Sequence, residues 1–264
     1  GSDARAQRAL ASAGDVGVCV NMRNEEAANL GLTASHFMNT SGWPDPDHYM
    51  SARDIATLSY ALATEFPEYY PIFAEREFSY AGVNQPNRNR LLYRDRVNSD
   101  GLKTGHTEAG GYGLASSAIM DDRRLVLVVN GMTSDNARIN ESERLLNYGF
   151  RNFGIYDMLN AGQTIDSADV WLGEDATVPL IAEEDVTLSM NKQARRNMTA
   201  KVIYDGPISA PIQKGQPIAT LELSANGMET KSYPLVAGAD VESLGGFSRL
   251  PAAFRYLLMG SAGD

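Results

Sequence analysis

The sequence predicts an α+β protein: a mixed helix-and-sheet domain over residues 1–158, a small all-β, sandwich-like domain over 159–240, and an amphipathic tail over 241–264. Three observations carry this reading. Apolar residues recur at helical spacing on either side of a central strand pair in the first half of the chain. Further on, the pattern changes to short strand signals separated by "DGP", "KGQP" and "NG" turns. At the end, "FSRLPAAFRYLLM" gathers Phe247, Leu250, Phe254, Leu257 and Leu258 on one helical face, in a run too short to span a bilayer.

Taken in order, residues 3–30 are alanine-rich and read as helix broken at "AGD", with Gly31 as the C-terminal stop. Cys19 in "VGVCV" reads as a small buried hydrophobe. "SARDIATLSYALATEF" is the clearest helix. Ser51 and Asp54 form a capping-box-like pair, Ile55, Leu58 and Leu62 share a face, and Pro67 stops it. Residues 74–102 hold short strand-like pieces and the polar loop "NQPNRNR".

"GYGLASSAIM", a turn at "DDRR" and "LVLVVNGM" then predict an antiparallel pair whose second strand is fully buried. "SDNARINESERLLNYGFRNF" places Ile139, Leu146, Phe150 and Phe153 at helical spacing. In the β-rich part, "ATLEL" alternates with period two, and Asn226-Gly227 is a hairpin signal. The tail either docks on the protein or lies in a membrane interface.

Composition excludes several function classes. A net charge of -10 argues against nucleic acid, because phosphate neutralisation needs clustered Lys and Arg. One cysteine allows no internal disulfide, and His36, His48 and His106 lack metal-ligand spacing, so neither a metal nor any other cofactor is expected. The first residues show no basic segment followed by an apolar core, so no export signal is expected within the chain.

Chemistry concentrates at residues 101–107, "GLKTGHT". Lys103 offers a cation that can stabilise developing negative charge and manage a proton. Thr104 offers a hydroxyl, and Gly105 lets another backbone approach the strand without an intervening Cβ. The motif enters a strand with an antiparallel partner, so a peptide can add along its edge.

The resemblance extends well beyond the motif. "GLTASHFMNTSGW", "YMSARDIATL", "FAEREFSYAGV", "NRNRLL", "DGLKTGHTEAGGYGLASSA" and "ESERLLNYGFRNF" together resemble the low-molecular-mass penicillin-binding proteins of the type-5 class, the D-alanyl-D-alanine carboxypeptidases. The similarity covers nearly all of residues 3–258.

The resemblance implies part of a penicillin-binding, β-lactamase-like transpeptidase domain followed by the β-domain and tail. It implies a serine-type, penicillin-sensitive activity that removes the terminal D-Ala from peptidoglycan stem peptides through an acyl-enzyme. Peptidoglycan stem peptides and β-lactams are the implied partners, with the inner membrane surface reached through the tail. The implied location is the periplasm, peripheral to the cytoplasmic membrane. By resemblance the site takes Lys103, Thr104, Gly105 and His106 as catalytic residues, and Arg138 as the receiver of the substrate carboxylate, for which a forked guanidinium is suited. A structural role for His106 stays open, as does a solvated helical face for Arg138. The class's His-Gly-Leu turn is here Ser41-Gly42-Trp43, so no role passes to Ser41.

The class also needs Ser-x-x-Lys and Ser-x-Asn upstream of Lys-Thr-Gly. Residues 1–102 contain no Ser-x-x-Lys. Ser189-Met190-Asn191-Lys192 and Ser134-Asp135-Asn136 have matching spacing but come after the motif. On a strand, Ser189 and Lys192 would point to opposite faces, and Ser134 reads as a helix N-cap. Alignment of the first helix puts Ser2 where the class has asparagine, and the nucleophile before residue 1. The chain by itself is therefore expected to be inactive. A non-catalytic peptidoglycan-binding or scaffolding module is the alternative.

Overall fold

The computed structural model describes residues 14–245 as two compact units that divide between Arg151 and Asn152. Residues 3–13 of the expected first helix and residues 246–264 of the expected tail lie outside the described residues.

In the first unit, α1 (Val16–Asn29) starts at Asp15, whose carboxylate accepts from the amides of Gly17 and Val18 at 2.6 and 3.2 Å. It stops at Gly31, where φ is +70°. The amides of Gly31 and Leu32 donate to Ala28 and Ala27 at 3.0 and 2.8 Å, closing the last turn in the αL arrangement that glycine favours. Cys19 is half-buried rather than buried, because this helix has no broad apolar face.

β1 (Ser35–His36) pairs with β2 (Tyr49–Met50), and α2 (Ala52–Glu65) follows. Only half of the expected capping box forms. Ser51 accepts from the amide of Asp54 at 3.1 Å, but the Asp54 carboxylate turns to the Ala34 amide and the Ser35 hydroxyl, at 2.8 and 2.6 Å. These bonds tie α2 to the chain entering β1 and hold the Asp54 pKa below the usual carboxylate value, the Ser35 bond being the largest cause. Ile55, Leu58 and Leu62 are only half-buried, and the buried residues of this helix are Asp54, Ser59, Ala61 and Ala63.

A hairpin of β3 (Glu77–Tyr80) and β4 (Val83–Pro86) turns at Ala81-Gly82, both with positive φ. The strand β4 runs through the start of the segment expected to be loop. The main sheet is β5 (Ser99–Thr107), β6 (Gly111–Met120) and β7 (Arg123–Met132) in that order, all antiparallel, with a tight turn at Asp121-Asp122. β7 is not fully buried as expected: it is an outer strand of the described sheet, and only Val129 on it is buried.

Leu114, Ala118 and Val129 share one face of the sheet and pack on Ile139, Leu146 and Phe150 of α3 (Asp135–Asn152). Phe153 falls outside this helix and opens β8.

The second unit contains β8 (Phe153–Leu159), β9 (Thr164–Trp171), β10 (Thr177–Ala182), β11 (Val186–Asn191), α4 (Lys192–Arg196), β12 (Thr199–Ile203), β13 (Ile208–Ser209), β14 (Pro217–Ala225) and β15 (Met228–Ala237). Six strands form one sheet in the order β12-β14-β15-β10-β9-β13, and β8 pairs with β11 in a second. Both sheets contribute to one core, with Leu188 and Met190 from the small sheet and Leu180, Leu221, Leu223 and Leu235 from the large one. This matches the expected sandwich-like domain. Because β8 is hydrogen-bonded to β11, the unit begins seven residues before the expected boundary at 159. Its far end also extends beyond 240. Val241 is buried and pairs with Ile212, and Ser243 pairs with Gly173, so the first residues assigned to the tail belong to this unit.

Leu146 is 2% exposed at the centre of the α3–sheet core. Leu146→Ala is expected to destabilise the first unit by roughly 2–5 kcal/mol, measured by chemical denaturation.

Candidate active site

The conformation of β5 is set at Gly101. The carbonyl of this residue accepts from Asn89 Nδ2 at 2.8 Å, Ser116 Oγ at 2.9 Å and Ser99 Oγ at 3.1 Å. Asn89 is 1% exposed, and its Oδ1 also accepts from the Leu91 amide at 3.2 Å. One buried amide thus fixes both the 3₁₀ turn at Arg90–Tyr93 and the root of the motif strand. A second brace forms where Arg124 pairs with Asp100 at 2.7 Å and lies over the Tyr70 ring, 4.9 Å from its centroid.

From this anchored root the strand emerges into solvent. Gly101 and Leu102 are buried, whereas Lys103, Gly105, His106 and Thr107 are exposed. β5 is an edge of the described sheet, and a Cβ built on Gly105 would meet no atom within 4 Å. The strand therefore presents backbone groups and an open surface to an added chain. The Lys103 ammonium donates to the Thr104 carbonyl. His106 is not tucked under the strand but stacks on Tyr112, with centroids 4.0 Å apart and planes tilted by 31°.

Arg138 is 5% exposed rather than on a solvated face. Its Nη1 donates to the carbonyls of the paired glycines Gly105 and Gly113 at 3.2 and 3.3 Å, and its guanidinium lies 5.6 Å from the Tyr112 ring centroid. Nη2 donates to Asp135 Oδ1. The other oxygen of Asp135 accepts from Arg90 at 2.9 Å, and Arg90 also reaches Asn136 Oδ1 at 2.8 Å. The bond from Arg90, followed by the charge of Arg138, holds the Asp135 pKa below the usual carboxylate value.

All five residues read from the sequence, Lys103, Thr104, Gly105, His106 and Arg138, line one open cleft of about 1330 Å³ in the first unit. Arg23, Arg88 and Arg90 line it as well, and among the described residues Asp135 is the one carboxylate set against them. On a chain of net charge -10 this is a local excess of cations, suited to an anionic ligand terminus. Chemically, the cleft offers a strand edge for main-chain pairing, a hydroxyl and guanidinium suited to a carboxylate, and an ammonium that can stabilise negative charge.

Of the two serine motifs set aside, Ser189 is an exposed residue of β11, and Lys192 opens α4 instead of continuing the strand. Ser134 caps α3, its hydroxyl accepting from the Ala137 amide at 3.1 Å. Sequence reading did not find the roles of Asp135, Asn136, Arg90 and Asn89. The available signal was the arginine-rich "NRNR" in an acidic chain, together with a helix start that puts Asp135 and Arg138 one turn apart.

Comparison with known proteins identifies the family. The family described as D-alanyl-D-alanine carboxypeptidase matches residues 1–134, half of the chain. The chain belongs to the D-alanyl-D-alanine carboxypeptidase family. The C-terminal domain of penicillin-binding protein 5 matches residues 153–243.

Among curated members of this family, DacC of Escherichia coli is 37% identical over 251 residues, 95% of this chain and 63% of that protein. DacF of Bacillus subtilis is 30% identical, over 93% of this chain and 64% of that protein. The chain thus spans somewhat less than two thirds of the length of these carboxypeptidases. Among solved structures, penicillin-binding protein 5 from Haemophilus influenzae superposes with a TM-score of 0.73 at 34% identity, covering 92% of this chain and 71% of that one. DacD from Francisella tularensis superposes at 0.78 with 25% identity, covering 91% and 72%.

The folded-state pKa of Asp135 lies below the unfolded one, so its pairing stabilises the protein fully above the ordinary carboxylate value near 4. The contribution is lost as the pH falls through the lowered value. Asp135→Asn is therefore expected to lower Tm at neutral pH, with the difference from the parent protein shrinking as the pH falls below the ordinary carboxylate value and through the lowered one. Thermal melts across this range test it.

Proposed function

We propose that the chain is the Lys-Thr-Gly-bearing part of a serine-type D-Ala-D-Ala carboxypeptidase that removes the terminal D-Ala of peptidoglycan stem peptides and is acylated by β-lactams. The observation that carries this reading is the convergence of Lys103, Thr104, Gly105, His106 and Arg138 on one cationic cleft along an open strand edge.

In this reading the peptide adds to β5 over Gly105, and its C-terminal carboxylate lies between the Thr104 hydroxyl and the Arg138 guanidinium. A serine hydroxyl from the Ser-x-x-Lys segment, which residues 1–102 do not contain, attacks the penultimate D-Ala carbonyl. The C–N bond breaks, D-Ala leaves with a proton on its amine, and water then hydrolyses the ester. Lys103 stabilises the negative charge that develops at the carbonyl and assists proton transfer.

Such a reaction belongs in the periplasm, with the amphipathic tail holding the protein to the cytoplasmic membrane surface. Among the described residues no helix is long and apolar enough to cross a membrane.

Fluorescent penicillin is expected to label the full-length gene product covalently, and Lys103→Ala to slow labelling by roughly 10²–10⁴-fold with little change in Tm. A full-length product that resists labelling and leaves D-Ala-D-Ala peptides intact sinks the reading. Deletion of residues 244–264 is expected to abolish co-sedimentation with anionic vesicles. Unchanged pelleting removes the anchor.

A further inference from the structure

Beyond the Thr107 end of the cleft, Trp43 stands 70% exposed, an unusual position for so large an apolar side chain. It is held there firmly. Asn39 Oδ1 accepts from the amides of Ser41, Gly42 and Trp43 at 3.2, 2.8 and 3.1 Å, and Asn39 Nδ2 donates to the Trp43 carbonyl at 3.0 Å. Gly42 takes the positive φ, +74°, that this turn requires. The backbone that presents the indole is therefore ordered before a ligand arrives.

Beside it is a shallow pocket of about 500 Å³ with Pro44 and Pro46 in its wall and Asp45, His48 and Thr107 as polar groups. Gly42, His48 and Thr107 also line the main cleft, so the two spaces are continuous.

We propose that Trp43 and this pocket bind the pyranose ring of the amino sugar to which a stem peptide is attached, so that glycan-borne peptide is preferred over free peptide. The inference rests on the carboxypeptidase reading. The direction of the bound peptide follows from β5. With the carboxylate at Thr104, a chain running back along the strand would meet Gly101, which is buried against Tyr70 and Phe73. Among the described residues only the Thr107 end is open, so the preceding peptide residues extend toward Trp43.

At about 3.3 Å per residue, Thr104 to Thr107 spans roughly 10 Å, and an extended five-residue peptide about 17 Å. The N-terminal sugar thus arrives just past Thr107. A pyranose has one face of C–H groups and a rim of hydroxyl and acetamido groups, matching an exposed indole with proline walls and a carboxylate, imidazole and hydroxyl around it.

The test compares a peptide ending in D-Ala-D-Ala with the same peptide carried on N-acetylmuramic acid. The chain has two tryptophans, so in a Trp171→Phe background indole fluorescence reports on Trp43. The sugar-bearing ligand is expected to shift this emission and bind about tenfold more tightly than the free peptide. Measured by isothermal titration calorimetry, because no reporting indole remains, Trp43→Ala should abolish that advantage with free-peptide affinity unchanged, and Trp43→Tyr should restore most of it. In the full-length product with Trp171 intact, the same pattern is expected in the ratio of kcat/KM for the two ligands, which covers the case where the fluorescence background folds poorly. Equal losses for both ligands would mean that Trp43 touches peptide, and no sugar advantage in the parent protein would mean no sugar site. Either result overturns the proposal. If free peptide is hydrolysed and penicillin labels the protein while the sugar adds nothing, only this inference fails. If penicillin and both peptides leave the full-length product untouched, the carboxypeptidase reading fails with it.

Discussion

The first unit is organised around the need to pair a buried guanidinium. Arg138 has almost no access to solvent, and leaving its charge unmatched there would be strongly destabilising. The fold meets this need with two strand carbonyls and one carboxylate, and each partner comes from an element that has to be in place. Gly105 belongs to β5, Gly113 to β6, and Asp135 to the first turn of the same helix. Pairing one side chain therefore fixes the helix start against the strand edge, and Asp135 extends the constraint to Arg90. An Asp between two arginines leaves net positive charge in the cleft while keeping each arginine in place.

The other end of the motif strand is governed by a carbonyl. Three donors on Gly101 hold the root of β5 in a polar pocket beneath the surface, while four residues further on Gly105 has open space over its Cα. A strand edge that is rigid at one end and uncovered at the other suits a surface that must accept a second chain in one register. In the binding mode proposed above, the same asymmetry favours a chain that leaves toward the loop that displays Trp43.

The β unit is built on different terms. Its core is apolar and drawn from two sheets, with short turns at Asn226-Gly227 and around Gly215 where positive φ is needed. The matched family regions follow this division, one ending at residue 134 and the other starting at 153. Arg138 lies between them, in the helix that closes the first unit.

Local chemistry was enough to reveal much of this. Lys-Thr-Gly entering a strand, the Ser51 and Ser134 caps, the Gly31 stop and the Asn226-Gly227 hairpin each depend on residues a few positions apart, and hydrogen-bond geometry over such short spans leaves few alternatives. The sandwich-like unit was legible because period-two burial is a local pattern. What sequence could not fix were quantities set by distant neighbours. Asp54 has the spacing of a capping box, yet its carboxylate finds better donors at Ala34 and Ser35. β7 is as apolar as a central strand but is an outer strand of the described sheet, and Phe153 keeps the helical period but pairs in a sheet. Asp135 looked like part of a chance motif until folding placed Arg90 beside it. The sequence by itself determined which side chains could act on a carboxylate terminus. Tertiary structure decided which of them meet, because pairing a buried charge depends on three-dimensional proximity that no local pattern encodes.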